Sequence, residues 1–232
     1  MAKTRKPSAK RYTDEHMDHQ LAAPFRRASF VLAAAAREQL PGDEGGLEVA
    51  FAGRSNAGKS SAINVICDQN GLARTSKTPG RTQQLVLFDM GEGRRLMDLP
   101  GYGYAKVPIS MRSSWRDLVD GYLRERRSLV AVVIMSDVRQ ALTEFDRQML
   151  SWCQTRQVRC LILLTKADKL SRGPASAKLK EIRSELDGAA DVQLFSALKK
   201  DGVEQARRWI TDAMDSRGDA VAGSVWSDQT PS

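Results

Sequence analysis

The chain has 232 residues, of which 41% are hydrophobic and 28% are charged, and its formal net charge is +8. A chain of this length can bury one sizeable core, and its three cysteines and two histidines lack the spacing of a zinc site. No apolar run approaches the roughly 20 residues of a membrane span, and no apolar stretch follows the basic N-terminus as in a secretory signal. We therefore expect a reduced, cytoplasmic protein without membrane insertion, whose positive charge favours a polyanionic partner such as nucleic acid.

The two ends of the chain differ in composition from its middle. Residues 1–22 are polar and rich in Lys and Arg, which predicts a disordered basic tail. An Ala-rich pattern from Arg27 to Leu40 predicts a helix that Pro41 and Gly42 would end. Residues 23–215 form the predicted single domain, and the small, polar residues 216–232 predict a second disordered tail.

The first buried strand leads into the main functional motif. Residues 47–52 have the composition of a strand, residues 61–66 that of a helix, and GRSNAGKS lies between them. This pattern is typical of a loop whose backbone N–H groups surround nucleotide phosphates at a helix N-terminus, although a Gly-rich turn can arise by chance. Lys59 would place its charge on the β- and γ-phosphates, and the Ser60 hydroxyl would ligate Mg²⁺. Nucleotide contacts are predicted for Gly53, Arg54, Ser55, Asn56, Ala57, Gly58, Lys59, Ser60 and Ser61.

A polar stretch, KTPGRTQ at 77–83, follows the motif helix. Gly80, Arg81 and Thr82 are expected at the nucleotide, where Thr82 would complete the Mg²⁺ shell only while a γ-phosphate is present. Such ordering and release is how GTPase switch loops work. A simple Pro-Gly turn is the alternative interpretation.

Two strand candidates, 85–90 and 94–98, flank Gly91-Glu92-Gly93, which predicts a hairpin. At the end of the second strand, Asp98 would hold Mg²⁺ through water, opposite Ser60. The backbone N–H of Gly101 would approach the γ-phosphate. The alternative is an ordinary turn; the functional interpretation assigns nucleotide contacts to Asp98, Leu99, Pro100 and Gly101.

Helices and strands alternate through the rest of the chain. Helices are predicted near 111–127, 142–156, 175–187 and 202–215, and strands at 129–136, 159–165 and 191–195. One hairpin followed by βα repeats predicts an α/β fold: a mostly parallel sheet with an antiparallel hairpin at its edge and helices on both faces. The motifs fall at the carboxyl ends of strands, where such sheets bind ligands.

The strand at 159–165 ends in a segment suited to guanine, Thr165-Lys166-Ala167-Asp168. The Asp168 carboxylate can accept hydrogen bonds from N1–H and the 2-amino group of guanine, whereas adenine would leave it unpaired. The Lys166 stem can lie over the base. The segment after the next strand, Ser196-Ala197-Leu198, would present a main-chain N–H to the guanine O6. Nucleotide contacts are predicted for Thr165, Lys166, Asp168, Phe195, Ser196 and Ala197. Each segment alone also fits an ordinary loop; their order and common place at strand ends make the combination informative.

Together these motifs resemble the EngB (YihA/YsxC) family of bacterial, translation-factor-like P-loop GTPases. The resemblance extends from about residue 25 to residue 214 and is carried by GRSNAGKSS at 53–61, KTPGRTQ at 77–83, MDLPGYGYAKV at 97–107, SDVRQALTEFD at 136–146 and LLTKADKL at 163–170. It implies a single G domain that binds GTP or GDP with Mg²⁺ and hydrolyses GTP. It also implies a role in large ribosomal subunit assembly, cell division and septation. We expect the intrinsic rate of hydrolysis to be slow, because Tyr102 stands where Ras-like enzymes have a water-orienting Gln.

Three positions bear on the chemistry. Where Ras-like enzymes have the Gln that orients the attacking water, this chain has Tyr102. Asn56 is similar to an Asn of potassium-stimulated GTPases, so a K⁺ ion held there would stand in for an arginine finger; alternatively, Asn56 only ties the loop to the switch. Thr165 replaces the usual Asn and is expected to brace the phosphate loop less. The predicted catalytic residues are Lys59, Thr82, Gly101 and Asn56.

Two functions fit these observations. The excess of Lys and Arg favours an assembly factor that contacts rRNA phosphates and ribosomal proteins on the large ribosomal subunit or its precursor. No dedicated RNA-binding domain is apparent, so the G domain and its tails would make these contacts, and we expect a monomer. The alternative is a GTP-dependent switch that binds a protein of the division machinery without RNA contact. An ATP-using enzyme is disfavoured by Asp168.

Overall fold

The computed structural model describes residues 20–74, 84–102 and 109–226, and for 109–116 and 218–226 it describes the backbone. The strands are β1 (Ser29–Ala34), β2 (Leu47–Gly53), β3 (Leu85–Gly91), β4 (Arg94–Asp98), β5 (Leu129–Asp137), β6 (Arg159–Thr165) and β7 (Asp191–Leu194). The helices are α1 (20–26), α2 (Lys59–Ile66), α3 (Ile109–Glu125), α4 (Glu144–Thr155), α5 (Arg172–Leu186) and α6 (Val203–Trp226). Short 3₁₀ turns cover Arg37–Gln39, Val138–Gln140 and Ala167–Lys169.

The strands form one seven-stranded sheet in the order β1-β3-β4-β2-β5-β6-β7. β2 is parallel to β4 and β5, and β6 is parallel to β5 and β7, whereas β3 is antiparallel to both of its neighbours. The predicted α/β class with a mostly parallel sheet is confirmed. The hairpin β3–β4, however, is not the edge of the sheet, because β1 pairs with β3 outside it.

β1 replaces much of the helix that the sequence pattern predicted from Arg27 to Leu40, and that prediction was wrong. The segment SFVLAA pairs with β3 from Ser29 opposite Asp89 to Ala34 opposite Leu85. Alanine favours a helix by well under 1 kcal/mol per residue over most other residues. That preference is too weak to outweigh the hydrogen bonds that β1 gains by pairing with β3.

The ends of the domain also differ from the prediction. α6 continues to Trp226, so the predicted boundary at 215 falls inside a helix. Residues 216–226 contain no proline, and nothing in their backbone chemistry forbids continuation of the helix. At the other end, α1 includes residues 20–22, which the sequence pattern placed in the basic tail.

The sheet is covered by helices on both faces, as predicted. On one face, α2 and α6 pack against residues such as Val49 and Phe51 of β2; on the other, α3, α4 and α5 pack against Ala50 and Ala52. Alternate residues of each central strand therefore face different helical layers, and both sets are buried. This explains the continuous apolar composition of β2, β5 and β6.

A buried polar cluster joins α3 to the sheet at the end remote from the motifs. The fully buried Glu48 carboxylate accepts hydrogen bonds from the Tyr122 phenol and from Arg126, whose Nη2 lies 3.0 Å from Oε2. Arg126 also donates to the carbonyl of Pro41 over 2.8 Å. Burial, and next the charge of Glu48, raise the pKa of the Tyr122 phenol well above its usual value, so it remains a donor. The cluster fixes the last turn of α3 relative to β2.

Candidate functional site

The phosphate-loop motif lies between β2 and α2, as the pattern predicted. Gly58 and Asn56 have φ values of 94° and 65°, so the backbone passes twice through the left-handed region before α2 begins at Lys59. The Ala57 N–H donates to the carbonyl of Arg54 over 2.9 Å and closes the turn. This curvature is the one that directs successive N–H groups toward an anion at the N-terminus of a helix.

Gly53 is required by the close approach of β5. A Cβ at this position would lie 2.8 Å from Met135 Cβ and 2.9 Å from the Met135 carbonyl oxygen. Any side chain here would displace β2 from β5 where the phosphate loop leaves the sheet. The first glycine of the motif thus allows β2 to lie close to β5 at the point where the phosphate loop begins.

Lys59 and Asp98 form an ion pair inside the loop. β2 and β4 are parallel neighbours with Phe51 opposite Asp98, so their carboxyl ends bring the two charges together. Both side chains are nearly buried, with exposed fractions of 12% and 11%. The Ser60 hydroxyl follows in the first turn of α2, 3.4 Å from the carbonyl of Arg74. One hydroxyl and one carboxylate beside a phosphate-binding loop suit Mg²⁺, which binds few protein ligands and keeps several waters.

The end of β6 supports the phosphate loop from the side. The Thr165 hydroxyl donates to the carbonyl of Ala57 over 2.6 Å, and the Lys166 ammonium donates to the carbonyl of Asn56 over 2.7 Å. Thr165 was expected to brace the loop less than Asn would, yet its hydroxyl is buried and within direct hydrogen-bonding distance. The second brace, from Lys166, was not apparent in the sequence because the motif assigns that side chain to the base.

Asp168 lies where a guanine-reading carboxylate should be. Its Oδ1 accepts a hydrogen bond from the Ser196 hydroxyl over 2.6 Å, which fixes the plane of the carboxylate. The Ser196 N–H donates to the carbonyl of Asp201 over 3.0 Å. The Ser196 N–H, one of the groups predicted to reach the guanine O6, is therefore already paired within the chain.

A pocket of about 550 Å³ joins these segments. It is lined by predicted residues of the phosphate loop, of β6 and of the segment after β7, including Gly58, Thr165, Lys166, Asp168, Phe195 and Ala197. The sequence motifs missed the opposite wall, which is formed at the end of α2 by Asp68 and Gln69 and by Lys200. These side chains belong to no nucleotide motif, and only the fold brings them to the pocket.

Tyr102 is buried instead of facing the phosphate site. Its phenol donates to the Asp146 carboxylate and its ring stacks on Phe145, with 5.3 Å between ring centroids. The segment from Asp98 to Tyr102, which contains the Asp-x-x-Gly pattern, is called the DxxG segment. The Ser55 N–H donates to the carbonyl of Tyr102 over 2.8 Å, so the end of this segment pairs with the phosphate loop. Gly101 lies against Ser55, since a Cβ on the glycine would be 3.5 Å from Ser55 Cα. The structure thus brings the DxxG segment to the loop and directs the phenol into the core.

The remaining predicted residues divide into two groups. Arg54 lies on the surface and donates to Gln140 over 3.3 Å, while Leu99 is buried and donates its N–H to the carbonyl of Phe51 over 3.0 Å. The switch residues Gly80, Arg81 and Thr82 lie outside the described residues.

The structure contains no candidate membrane span among the helices of residues 20–74, 84–102 and 109–226, because none combines sufficient length with sufficient apolar character.

Comparisons with known proteins agree with this geometry. A protein-family model described as "50S ribosome-binding GTPase" matches residues 48–166. The chain is 49% identical over 191 residues to a probable GTP-binding protein EngB of Tolumonas auensis, covering 81% of this chain and 90% of that protein. It is 48% identical over 187 residues to the corresponding protein of Escherichia coli O139:H28, covering 79% of this chain and 89% of that one.

Solved structures share the fold. A crystal structure of a probable GTP-binding protein EngB matches with a TM-score of 0.59 at 19% identity, covering 73% of this chain and 99% of that one. The Aquifex aeolicus protein Era, crystallised with GDP and AlF₄⁻, matches with a TM-score of 0.58 at 19% identity, covering 72% of this chain and 56% of that one. Both similarities support the G-domain fold.

Replacing Gly53 with Ala should lower the free energy of unfolding by about 1–3 kcal/mol, because the new methyl group overlaps Met135. Urea unfolding monitored by circular dichroism measures this loss. Gly173→Ala is the matched control: it lies in α5 with open space where the new methyl group would go, and it should raise stability by up to about 1 kcal/mol. Equal effects at the two positions would contradict the packing role of Gly53.

Proposed function

The chain belongs to the EngB family of GTP-binding GTPases, and on that premise we propose that it is a GTP-dependent assembly factor of the large ribosomal subunit. In this proposal, the GTP-bound protein docks on the subunit or its precursor in the cytoplasm and leaves after hydrolysis. Normal cell division and septation would depend on it through the supply of ribosomes. The observation that carries the nucleotide part is the Asp168–Ser196 contact, which orients the base-reading carboxylate in a pocket that Gly58 of the phosphate loop also lines.

Charge supports the ribosomal part of the proposal. The chain has 36 Lys and Arg residues against 28 Asp and Glu. A basic surface binds RNA phosphates with an affinity that falls steeply as salt displaces the released counterions. The words "50S ribosome-binding" in the description of the matching family model point to the same partner.

The residues of the site suggest how GTP would be held and cleaved. The phosphate-loop N–H groups and Lys59 would bind the β- and γ-phosphates, so the Lys59 ammonium would exchange its contact with Asp98 for phosphate oxygens. Asp98, once freed, would orient water in the shell of a Mg²⁺ ion that Ser60 and Thr82 ligate; the ion would neutralise charge on the transferring phosphoryl group. The Gly101 N–H would contact the γ-phosphate. Because the Tyr102 phenol is bonded to Asp146, the attacking water must be oriented by another group.

A second candidate function rests on an apolar surface at the sheet edge. Phe30 and Val31 of the edge strand β1 are 59% and 44% exposed. Large apolar side chains on an open edge strand favour contact with a protein. A GTP-dependent switch that binds a protein of the division machinery would use such a surface without RNA.

We further propose that a K⁺ ion held by Asn56 of the phosphate loop stimulates GTP hydrolysis. At constant ionic strength, the GTPase rate in K⁺ should exceed that in Na⁺ by at least about tenfold, because a fixed cation would stabilise the charge that develops during phosphoryl transfer. Asn56→Gly removes the side chain while tolerating the φ of 65°, and it should abolish the difference. Equal rates in the two salts for the unmodified protein would refute this.

Asp168→Asn should change the base that the pocket accepts. The affinity for GTP should fall by at least about 100-fold, since the carboxamide presents a donor to a base edge that needs two acceptors, whereas xanthosine triphosphate should gain affinity. The amide oxygen still accepts from Ser196, so the fold is retained. Isothermal titration calorimetry with both nucleotides measures the change in the two affinities. An unchanged preference for guanine would show that Asp168 does not recognise the base.

Co-sedimentation with purified large ribosomal subunits tests the proposed function. We expect binding with a non-hydrolysable GTP analogue and little with GDP, and a loss of binding of about 10³-fold or more between 50 and 200 mM salt if six or more phosphates are contacted. The Asp168→Asn variant is the control, because it should bind only with the corresponding xanthosine analogue. Absence of binding to the subunit in every nucleotide state would contradict the proposed function and favour the protein-binding alternative.

A further inference from the structure

One motif that carries the family resemblance has no part in the nucleotide contacts described so far. It is SDVRQALTEFD at 136–146, which runs from the end of β5 into the first turn of α4; we call it the 136–146 segment. Its side chains and backbone contact all three of the described nucleotide segments: the phosphate loop, the DxxG segment and the base-reading segment after β6.

Two contacts reach the base-reading segment. The Asp137 carboxylate lies 3.0 Å from the Lys166 ammonium, and the Thr165 hydroxyl lies 3.2 Å from the carbonyl of Ser136. Lys166 and Thr165 are the residues that brace the phosphate loop. A third contact, from Gln140 to Arg54 over 3.3 Å, reaches the phosphate loop directly.

The contact with the DxxG segment is the most deeply buried. Asp146 is 1% exposed, and its Oδ1 accepts a hydrogen bond from the Tyr102 phenol. Its Oδ2 accepts from the Ser136 hydroxyl over 3.0 Å and from the Thr143 N–H over 2.9 Å. Asp146 is also the third residue of α4 and forms a capping box with Thr143. A buried carboxylate held by donors on both oxygens has one orientation, so it fixes the phenol that it binds.

Fixing the Tyr102 phenol also fixes the peptide groups beside the γ-phosphate position. The Tyr102 N–H lies 3.4 Å from the carbonyl of Gly53, and its carbonyl accepts from the Ser55 N–H over 2.8 Å. Tyr102 directly follows Gly101, the residue whose N–H is expected at the γ-phosphate. Burial, and next the charge of Asp146, raise the pKa of the phenol well above its usual value. Tyr102 therefore remains a donor at neutral pH, and the link is present under physiological conditions.

We propose that Asp146 is a positioning residue for γ-phosphate recognition: through the Tyr102 phenol it sets the orientation of Gly101 and thereby the preference for GTP over GDP. The role differs from that of a catalytic residue, since Asp146 lies in the core and acts through Tyr102. It also differs from base recognition, because no atom of Asp146 lines the pocket. The inference rests on the GTPase activity of the family and not on the ribosomal partner.

Tyr102→Phe tests the proposal with the loss of a single oxygen atom. Affinity for a non-hydrolysable GTP analogue should fall by about tenfold, as expected when a hydrogen bond to a charged group is lost, while affinity for GDP should stay within about twofold. In steady-state kinetics, the KM for GTP should rise by a similar factor while kcat changes less, because a slow GTPase has a KM close to the dissociation constant of GTP and the lost contact is made in the ground state. Titration calorimetry and phosphate release measure the two effects.

Tyr122→Phe is the matched control. Tyr122 is also buried, and its phenol also donates to a buried carboxylate, that of Glu48, but at the end of the sheet remote from the motifs. It should lower the melting temperature as Tyr102→Phe does and leave the ratio of GTP-analogue to GDP affinity unchanged. The same shift of this ratio in both variants would mean that it reports lost stability, and the proposal would be overturned.

Two further variants test the part played by Asp146. Ser136→Ala removes another donor to Asp146 and should shift the affinity ratio in the same direction as Tyr102→Phe, by a smaller factor. Combining Asp146→Asn with Tyr102→Phe should change the ratio by less than the product of the single changes, because the two residues act through one contact. A ratio that is unchanged or raised in Tyr102→Phe, or fully independent effects in the double variant, would overturn the proposal.

Discussion

The nucleotide site depends on one requirement of backbone chemistry. A loop that turns its N–H groups inward, toward an anion, turns its carbonyl groups outward, and these need donors when they are buried. The donors come from distant parts of the chain: Thr165 bonds to the carbonyl of Ala57, Lys166 to that of Asn56, and the Tyr102 N–H approaches that of Gly53. The phosphate loop is thus held by the strand end that reads the base and by the segment that contacts the γ-phosphate. Direct hydrogen bonds therefore join the phosphate loop to each of the other two segments.

The ion pairs around the phosphate loop follow the same arrangement. Lys59 and Asp98 are nearly buried, and each is the partner of the other, so neither charge is isolated in the low-dielectric interior. Asp137 balances Lys166 in a similar way. Hydrogen bonds from Arg139 hold the pKa of the Asp137 carboxyl well below its usual range, with a further contribution from Lys166. Asp137 therefore stays ionised throughout the physiological range and keeps Lys166 over the phosphate loop.

The sequence predicted the parts of this structure that depend on local pattern. Buried parallel strands have continuous apolar runs, so β5 and β6 were located to within a residue, and the motif glycines marked the turns that follow β2 and β4. β1 was missed because its alanines favour a helix, and only the pairing with β3 makes this segment a strand. The contacts between the nucleotide-binding segments could not be predicted either. Tyr102 and Asp146 are 44 residues apart, and nothing in a tyrosine or an aspartate indicates which residue it will bond to. The same holds for Asp68, which only the fold brings to the pocket wall.

The position of Tyr102 separates recognition of the γ-phosphate from its removal. In a Ras-like site, one glutamine after DxxG belongs to both processes, because it lies beside the γ-phosphate and orients the water. Here the corresponding side chain is committed to Asp146, in the core, and the peptide beside it is paired with the phosphate loop. The arrangement stabilises a conformation that detects the γ-phosphate but supplies no side chain from this position to activate water. Slow hydrolysis at such a site would prolong the GTP-bound state, which the proposed assembly factor would need in order to stay on its particle until contact with a cation or a partner completes the catalytic arrangement.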